Sequence, residues 1–257
     1  MTKPSTRSKV LLFDCETSPC VGYFWRPGHK ISIPAENIVE ESKIICISYK
    51  WHKDPYVYRI TWDKHQSDKD MLAEFIDVVA SADVAIGHNS DRFDLKWIKT
   101  RAMIHGLTPL GAIRSIDTLK LARSNFNLNS NRLDYIGHVL GCGRKKDTGG
   151  FGLWKAVMAG DKKALKEMGE YCDQDVLLLE SVYDRISPHT ARLPVHIGSS
   201  MGNSQLSCEA CGSTHVVRHR KYFSNAGGAM VSMQCRSCGK NKGMTETLYA
   251  KLKGAPE

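Results

Sequence analysis

Val10-Leu-Leu-Phe-Asp-Cys-Glu-Thr17 decides how the rest of the chain is read. The apolar run Val10 to Phe13 has the pattern of a buried strand, and it leaves through two carboxylates, Asp14 and Glu16. Side chains two apart on a strand point to one face, so the spacing predicts that both acids project together. Such pairs are common, and their meaning depends on what stands further along the chain.

Working outward, residues 20–41 hold Pro27, Gly28, Pro34 and three aromatics and read as a long surface excursion. Residues 43–51 and 56–62 are rich in β-branched and aromatic residues around a Lys53-Asp-Pro55 turn, which predicts an antiparallel hairpin. Leu72, Phe75, Ile76 and Val79 recur at helical spacing within 68–80. A short apolar strand is expected at 82–87, a helix over about 90–105 and a strand near 113–116. Helical segments at 118–123 and 132–140 follow, then a glycine-rich loop over 141–152 and a helix over 162–186. Three strands followed by alternating helix and strand predict an α/β fold, a mixed sheet flanked by helices. Residues 1–190 are expected to form this domain, 191–207 (rich in Pro, Gly, Ser and Asn) a linker, and 208–257 a second, small unit.

The 257 residues are 42% hydrophobic and 25% charged, which argues against a disordered chain, a collagen-like repeat or a coiled-coil rod. No run approaches the ~18 apolar residues of a spanning helix. The polar start lacks the pattern of a secretory signal, so a cytoplasmic protein without a membrane partner is expected. The net charge is +9, and from Ala191 onward nine Lys and Arg face only three acids. That imbalance points to a polyanion such as nucleic acid.

Two further acidic motifs follow the first. Gly87-His-Asn-Ser-Asp-Arg-Phe-Asp94 sits where a buried strand gives way to a helix, and Tyr171-Cys-Asp-Gln-Asp175 lies inside a helix, where a spacing of four places Tyr171 and Asp175 on one face. In this order, Phe13-Asp-Cys-Glu-Thr, Gly87-His-Asn-x-x-x-Phe-Asp94 and Tyr171-x-x-x-Asp175 resemble the three motifs of the DEDD exonucleases. These are ribonuclease H-like 3′→5′ enzymes that include the proofreading domain of family B DNA polymerases. Ile116-Asp-Thr-Leu, Asn131-Arg-Leu-Asp-Tyr-Ile and Gly150-Phe-Gly-Leu-Trp154 extend the likeness over roughly residues 10–186. Position 170, where the other DEDD subtype carries histidine, is Glu170, which favours the tyrosine subtype.

Two carboxylates about 4 Å apart repel by about 4 kcal/mol at an effective dielectric near 20, so four converging acids demand counter-cations. Hard oxygen ligands suit Mg²⁺ or Mn²⁺. The resemblance implies two such ions, one held by Asp14, Glu16 and Asp175 and the other by Asp14 and Asp94, with Tyr171 orienting the attacking water. Asp94 is preferred to Asp91 because Phe93 precedes it as in the family pattern, leaving Asp91 as a helix-start residue. Asp117 and Asp173 read as structural. Lys96, Lys99, Arg101 and the Arg144-Lys145-Lys146 run are candidate phosphate contacts, or solvated surface charge.

Cys208-x-x-Cys211-Gly and Cys235-x-x-Cys238-Gly are separated by 23 residues. Four thiolates at this spacing close a tetrahedral Zn²⁺ site with no open position, so this metal is expected to be structural, and the unit resembles a zinc ribbon. Arg218, Arg220, Lys221, Arg236, Lys240 and Lys242 are expected to form a basic face, with Tyr222 and Phe223 placed to stack on bases. Docking to a protein is the alternative. The sequence therefore predicts a metal-dependent 3′→5′ exonuclease on single-stranded nucleic acid, DNA favoured, with a replication or repair protein as a further partner. The alternatives are an accessory protein with an inactive exonuclease fold and a 3′→5′ exoribonuclease.

Overall fold

The computed structural model describes residues 9–28, 31–145, 149–200 and 203–254. Lys146, part of the expected linker and both chain ends therefore lie outside the described residues. In chain order the elements are β1 (Val10–Thr17), β2 (Val21–Gly22), β3 (Ile38–Glu40), β4 (Ile44–Trp51), β5 (Tyr58–Thr61), α1 (Lys69–Ala80), β6 (Val84–Gly87), α2 (Asp94–Ile104), β7 (Ser115–Asp117), α3 (Thr118–Asn125) and α4 (Leu133–Val139). α5 (Gly152–Met158), α6 (Lys162–Ile186) and α7 (Ile197–Ser200) follow. The chain closes with β8 (Val216–Phe223), β9 (Ala229–Cys235), β10 (Asn241–Thr245) and α8 (Glu246–Gly254).

The main sheet has five strands in the order β5-β4-β1-β6-β7. β1 lies at its centre, antiparallel to β4 and parallel to β6, and β6 runs parallel to β7. This is the expected mixed sheet. Alternation along β1 sorts its side chains into two layers. Val10 and Leu12 pack with Val176, Leu179 and Tyr183 of α6, whereas Leu11, Phe13 and Cys15 pack with Leu72 and Phe75 of α1 and Leu95 and Ile98 of α2. Asp14 and Glu16 continue the even-numbered face, so the period of two that buries Leu12 also turns both acids toward α6.

The structure adds elements that sequence reading passed over. The excursion over 20–41 carries an antiparallel ribbon, β2–β3. α5 stands inside the stretch read only as a loop and a motif, and it is fixed by Leu153 and Val157 packing with Ala164, Met168 and Cys172 of α6. The helix expected from Ser90 begins at Asp94, because residues 90–93 form a turn.

The C-terminal unit is a three-stranded sheet, β10-β9-β8, followed by α8. It does not hang from a free tether. Cys208, Ala210 and Cys235 share a hydrophobic cluster with Val182, Tyr183 and Ile186 of α6, and Leu193 and Ile197 from the expected linker are buried there too. The Tyr183 hydroxyl donates to the Ala210 carbonyl at 2.9 Å. Among the described residues no helix is long and apolar enough to cross a membrane.

Candidate active site

The sheet and α6 bring three of the expected acids together. One carboxylate oxygen each from Asp14, Glu16 and Asp175 lies within 4.8 Å of the others. Asp14 and Glu16 keep a partly open face, while Asp175 is fully buried. Asp175 Oδ2 accepts from Lys145 Nζ at 2.5 Å, and its buried Oδ1 has no hydrogen-bond partner among the described residues. An orphaned carboxylate oxygen beside two further acids is what a cation site leaves when its chemistry is hard and oxygen-based. These residues therefore fit a divalent ion.

Asp94 stands at the edge of this cluster. Its Oδ1 accepts from the Cys15 amide and from Cys15 Sγ, both at 3.1 Å, so Asp94 is locked to the strand that carries Asp14 and Glu16. The loop before it explains how. A Cβ on Gly87 would meet Ser90 Cβ at 2.3 Å, so only glycine permits this closure. Asn89 adopts φ +63°, a conformation rare outside glycine, and its amide donates to Asp117 Oδ1 at 2.9 Å. Asp117 also caps α3 through the amides of Leu119 and Lys120. Asp91 does not start the helix. It accepts from Ser115 Oγ at 2.6 Å and pairs with Lys120 at 2.7 Å.

The charges are in conflict. Burial pushes Asp14 well above the usual carboxylate range, and Asp94, Glu16 and Asp175 push it further against the pull of Lys145. Burial raises Glu16 to about 8, with Lys145 opposing and Asp175 and Asp94 adding to the shift. Asp94 is raised to about 6 by burial, held from going higher by its bonds from Cys15. Burial also raises Asp175, against Lys145 and Tyr171. The ammonium of Lys145 is itself disfavoured by burial, yet Asp175 and Asp14 outweigh that and hold its pKa above the ordinary value. A cluster of this kind favours hard cations over protons once they are supplied.

Tyr171 accepts from Lys145 Nζ at 3.2 Å, and its ring is held edge-on by Trp154 at 6.4 Å between centroids. The Trp154 indole donates to the Thr17 carbonyl at 3.1 Å, which ties α5 to the end of β1. Burial raises the Tyr171 hydroxyl to about 12, so it is a neutral donor at physiological pH. Lys145 is the residue whose place sequence reasoning missed: within a basic run it had the look of a phosphate contact or surface charge, with nothing in its local pattern pointing at Asp175.

Other expectations need correction. Arg101 is not a phosphate contact, because it is buried and holds Asp68 with Nε and a terminal nitrogen, both at 2.8 Å. Lys96 and Lys99 are exposed. Phe93, ahead of Asp94, lies exposed, edge-on to Trp97. Asp173 accepts from Ser48 Oγ at 2.6 Å and pairs with Arg59. Beside Lys145 opens a cavity of about 680 Å³ whose walls include His88, Asn89, Arg123, Asn131 and Arg132.

In the C-terminal unit the four thiol sulfurs lie within 4.8 Å of one another, with Cys208–Cys238 at 3.6 Å and Cys211–Cys235 at 3.7 Å. Zn–S bonds of about 2.3 Å in a tetrahedron place sulfurs about 3.8 Å apart, so the donor set fits Zn²⁺. Hydrogen bonds from Cys211 and Cys238 hold the Cys208 sulfur well below the usual thiol range, toward the thiolate a metal takes. Of the expected basic face, Arg218, Arg220, Lys221 and Arg236 are exposed. Lys221 pairs with Glu246, and Tyr222 is half-buried with the Arg220 guanidinium 5.8 Å above its ring. Lys240 does not belong to that face. It is buried against the main domain, bonded to Thr190 and, at 3.2 Å, to Glu209.

A central strand ending in carboxylates that meet an acid from a crossing helix, on a mixed five-stranded sheet, defines a ribonuclease H-like domain. A family model described as RNase_H superfamily matches residues 38–187, and the chain belongs to that superfamily. The matched segment contains Asp94, Tyr171 and Asp175, while Asp14 and Glu16 precede it. Among solved structures, the family B DNA polymerase from the hyperthermophilic archaeon Pyrobaculum calidifontis is similar, with a TM-score of 0.55, 14% identity and 85% of this chain covered. The chain spans 31% of that polymerase, and the likeness is one of fold. No curated protein matches the sequence.

Proposed function

We infer that the protein is a two-metal 3′→5′ exonuclease acting on single-stranded nucleic acid, with DNA favoured by the resemblance to polymerase proofreading domains. The observation that carries this reading is the meeting of Asp14, Glu16 and Asp175 within 4.8 Å, with one Asp175 oxygen left without a partner among the described residues. Asp14, Glu16 and Asp175 would hold one Mg²⁺ or Mn²⁺, and Asp14 and Asp94 a second. Such ions ionise a water at neutral pH and offset charge on a leaving 3′-oxygen. Tyr171, neutral and braced by Trp154, would orient that water. Lys145 tempers the repulsion among the acids and presents an ammonium on the side of the cavity, where a substrate phosphate would lie.

Residues 1–190 act as the nuclease unit, 208–257 as a zinc ribbon that adds exposed Arg218, Arg220 and Lys221 to the substrate grip beside Tyr222, and 191–207 as the linker between them. A replication or repair protein is a further partner for the ribbon. Buried free thiols at Cys15, Cys46 and Cys172 suit a reducing, cytoplasmic setting.

The test is a panel of single-stranded DNA, duplex DNA and RNA, labelled at either end, with Mg²⁺ or Mn²⁺. Stepwise mononucleotide release from the 3′ end is expected. Hydrolysis restricted to RNA would make it an exoribonuclease, and metal binding without hydrolysis on any substrate would reduce it to an accessory fold.

A further inference from the structure

The β2–β3 ribbon exposes more apolar surface than its setting requires. Trp25 is fully exposed (102%), Tyr23 is 76% exposed and Phe24 54%, three consecutive aromatics on an arm that leaves β1 a few residues after Glu16. The arm is held in place, since the Tyr23 amide donates to the Asn37 carbonyl at 2.9 Å and β2 pairs with β3. On one side it borders a groove of about 530 Å³, walled by Val21, Phe24, Ile33 and Ile38 from the arm, Phe151 just before α5 and Lys155 within it. On the other lies a cavity of about 440 Å³ that Trp25 and Arg26 help to line. Contiguous exposed aromatics of this extent mark a binding surface.

α5 joins this surface to the acid cluster. Its Trp154 braces Tyr171 and bonds to Thr17, while its neighbours Phe151 and Lys155 turn into the groove, the Lys155 ammonium 5.9 Å from the Phe151 ring centroid. Among the described residues of the groove wall Lys155 is the charged one, and it is positive. Flat aromatic faces interleaved with single cations suit unpaired bases on a phosphate backbone, because every base offers a π-face and every linkage a negative charge.

The geometry points to the arm and the exposed face of α5 as a stacking platform for single-stranded polynucleotide, gripping the strand some nucleotides away from the acid cluster. This rests on the reading of that cluster as a nuclease site. It assigns Phe24, Trp25 and Phe151 to base stacking and Lys155 to phosphate.

The experiment measures binding rather than cleavage. Fluorescein-labelled DNA and RNA strands of about 20 and about 4 nucleotides, with 3′ phosphorothioate linkages that resist hydrolysis, are titrated with the full chain. The wild-type protein should prefer the long strands. Phe24→Ala, Trp25→Ala and Phe151→Ala should each reduce that preference, on the order of tenfold, and Trp25→Phe should keep most of it. Circular dichroism checks that each variant is folded. An undiminished preference in the folded triple variant would overturn the platform. So would light scattering that shows a wild-type dimer turned monomeric by the same substitutions, which would assign the face to self-association. Failure of the nuclease reading shows separately, as absence of cleavage of unmodified strands by wild type whatever it binds.

Discussion

The carboxylate cluster and the thiol cluster each gather anionic side chains from distant parts of the chain, yet they resolve the resulting repulsion in opposite ways. Asp14, Glu16 and Asp175 converge with one oxygen unsatisfied among the described residues and a lysine in partial compensation. The four sulfurs stand at tetrahedral spacing, backed by the core they share with α6. A closed set of soft ligands holds its ion as part of the fold, whereas a set of hard ligands with room to spare exchanges ions and admits a substrate. The difference teaches that, on the proposed reading, one ion would serve stability and the others chemistry.

The largest effect should come from the sulfur side. Binding of a structural zinc supplies on the order of 10 kcal/mol in small zinc units, so Cys208→Ser or removal of zinc should melt the ribbon and loosen α6. Native mass spectrometry should find one zinc per chain, and Mg²⁺ alone should not restore cleavage after stripping. Restoration by Mg²⁺ alone would break the contrast.

Next comes the oxygen side. Asp14→Asn and Asp175→Asn should each lower cleavage on the order of 10³-fold or more, the scale of losing an electrostatic stabiliser in a closed site. The metal-free melting temperature of Asp14→Asn should hold or rise, because the change relieves a buried charge, whereas Asp175→Asn should lower it by leaving the Lys145 ammonium without its partner. Undiminished single-turnover rates would remove the residue from the chemistry.

Lys145→Met sharpens the comparison by asking what stands in for a metal. Breaking a buried pair costs roughly 3 kcal/mol, and somewhat less here because the ammonium keeps a solvent-facing edge. Urea titration should show that loss without divalent ions and a smaller one with saturating Mn²⁺.

The gentlest perturbation, a change of pH alone, tests the acids without altering the chain. Asp94 at about 6 and Glu16 at about 8 hold protons in the folded state that the unfolded chain has already released. Metal-free stability should therefore fall as pH rises from about 5 through 8, shifting the melting temperature by about 2–4 °C per kcal/mol for a chain of this size. Glu16→Gln should remove the upper step, and Mn²⁺ should flatten the profile.

Local pattern carried the fold a long way. The period of two in β1 fixed which side chains face α6, and the spacing of Tyr171 and Asp175 put both on one helix face. The Cys-x-x-Cys pairs announced their own geometry. What stayed hidden depends on distant partners. Nothing near Lys145 in sequence distinguishes it from Arg144, and its meeting with Asp175 exists only once α6 has crossed the sheet. Lys240 reads as one more surface cation until Thr190 and Glu209 surround it. α5 is a single short helix after paired glycines, too brief to show a period, and its place is set by packing against α6.

One consequence follows from the burial of Tyr183 and Ile186 beneath the ribbon. Tyr183 lies eight residues beyond Asp175 on the same helix, about 12 Å along its axis. Trimming the chain near residue 190 to obtain a minimal enzyme would strip the cover from that end, baring a greasy surface and inviting clumping. Whoever prepares a shortened version should keep the ribbon attached, since the half that looks dispensable is what keeps the other soluble.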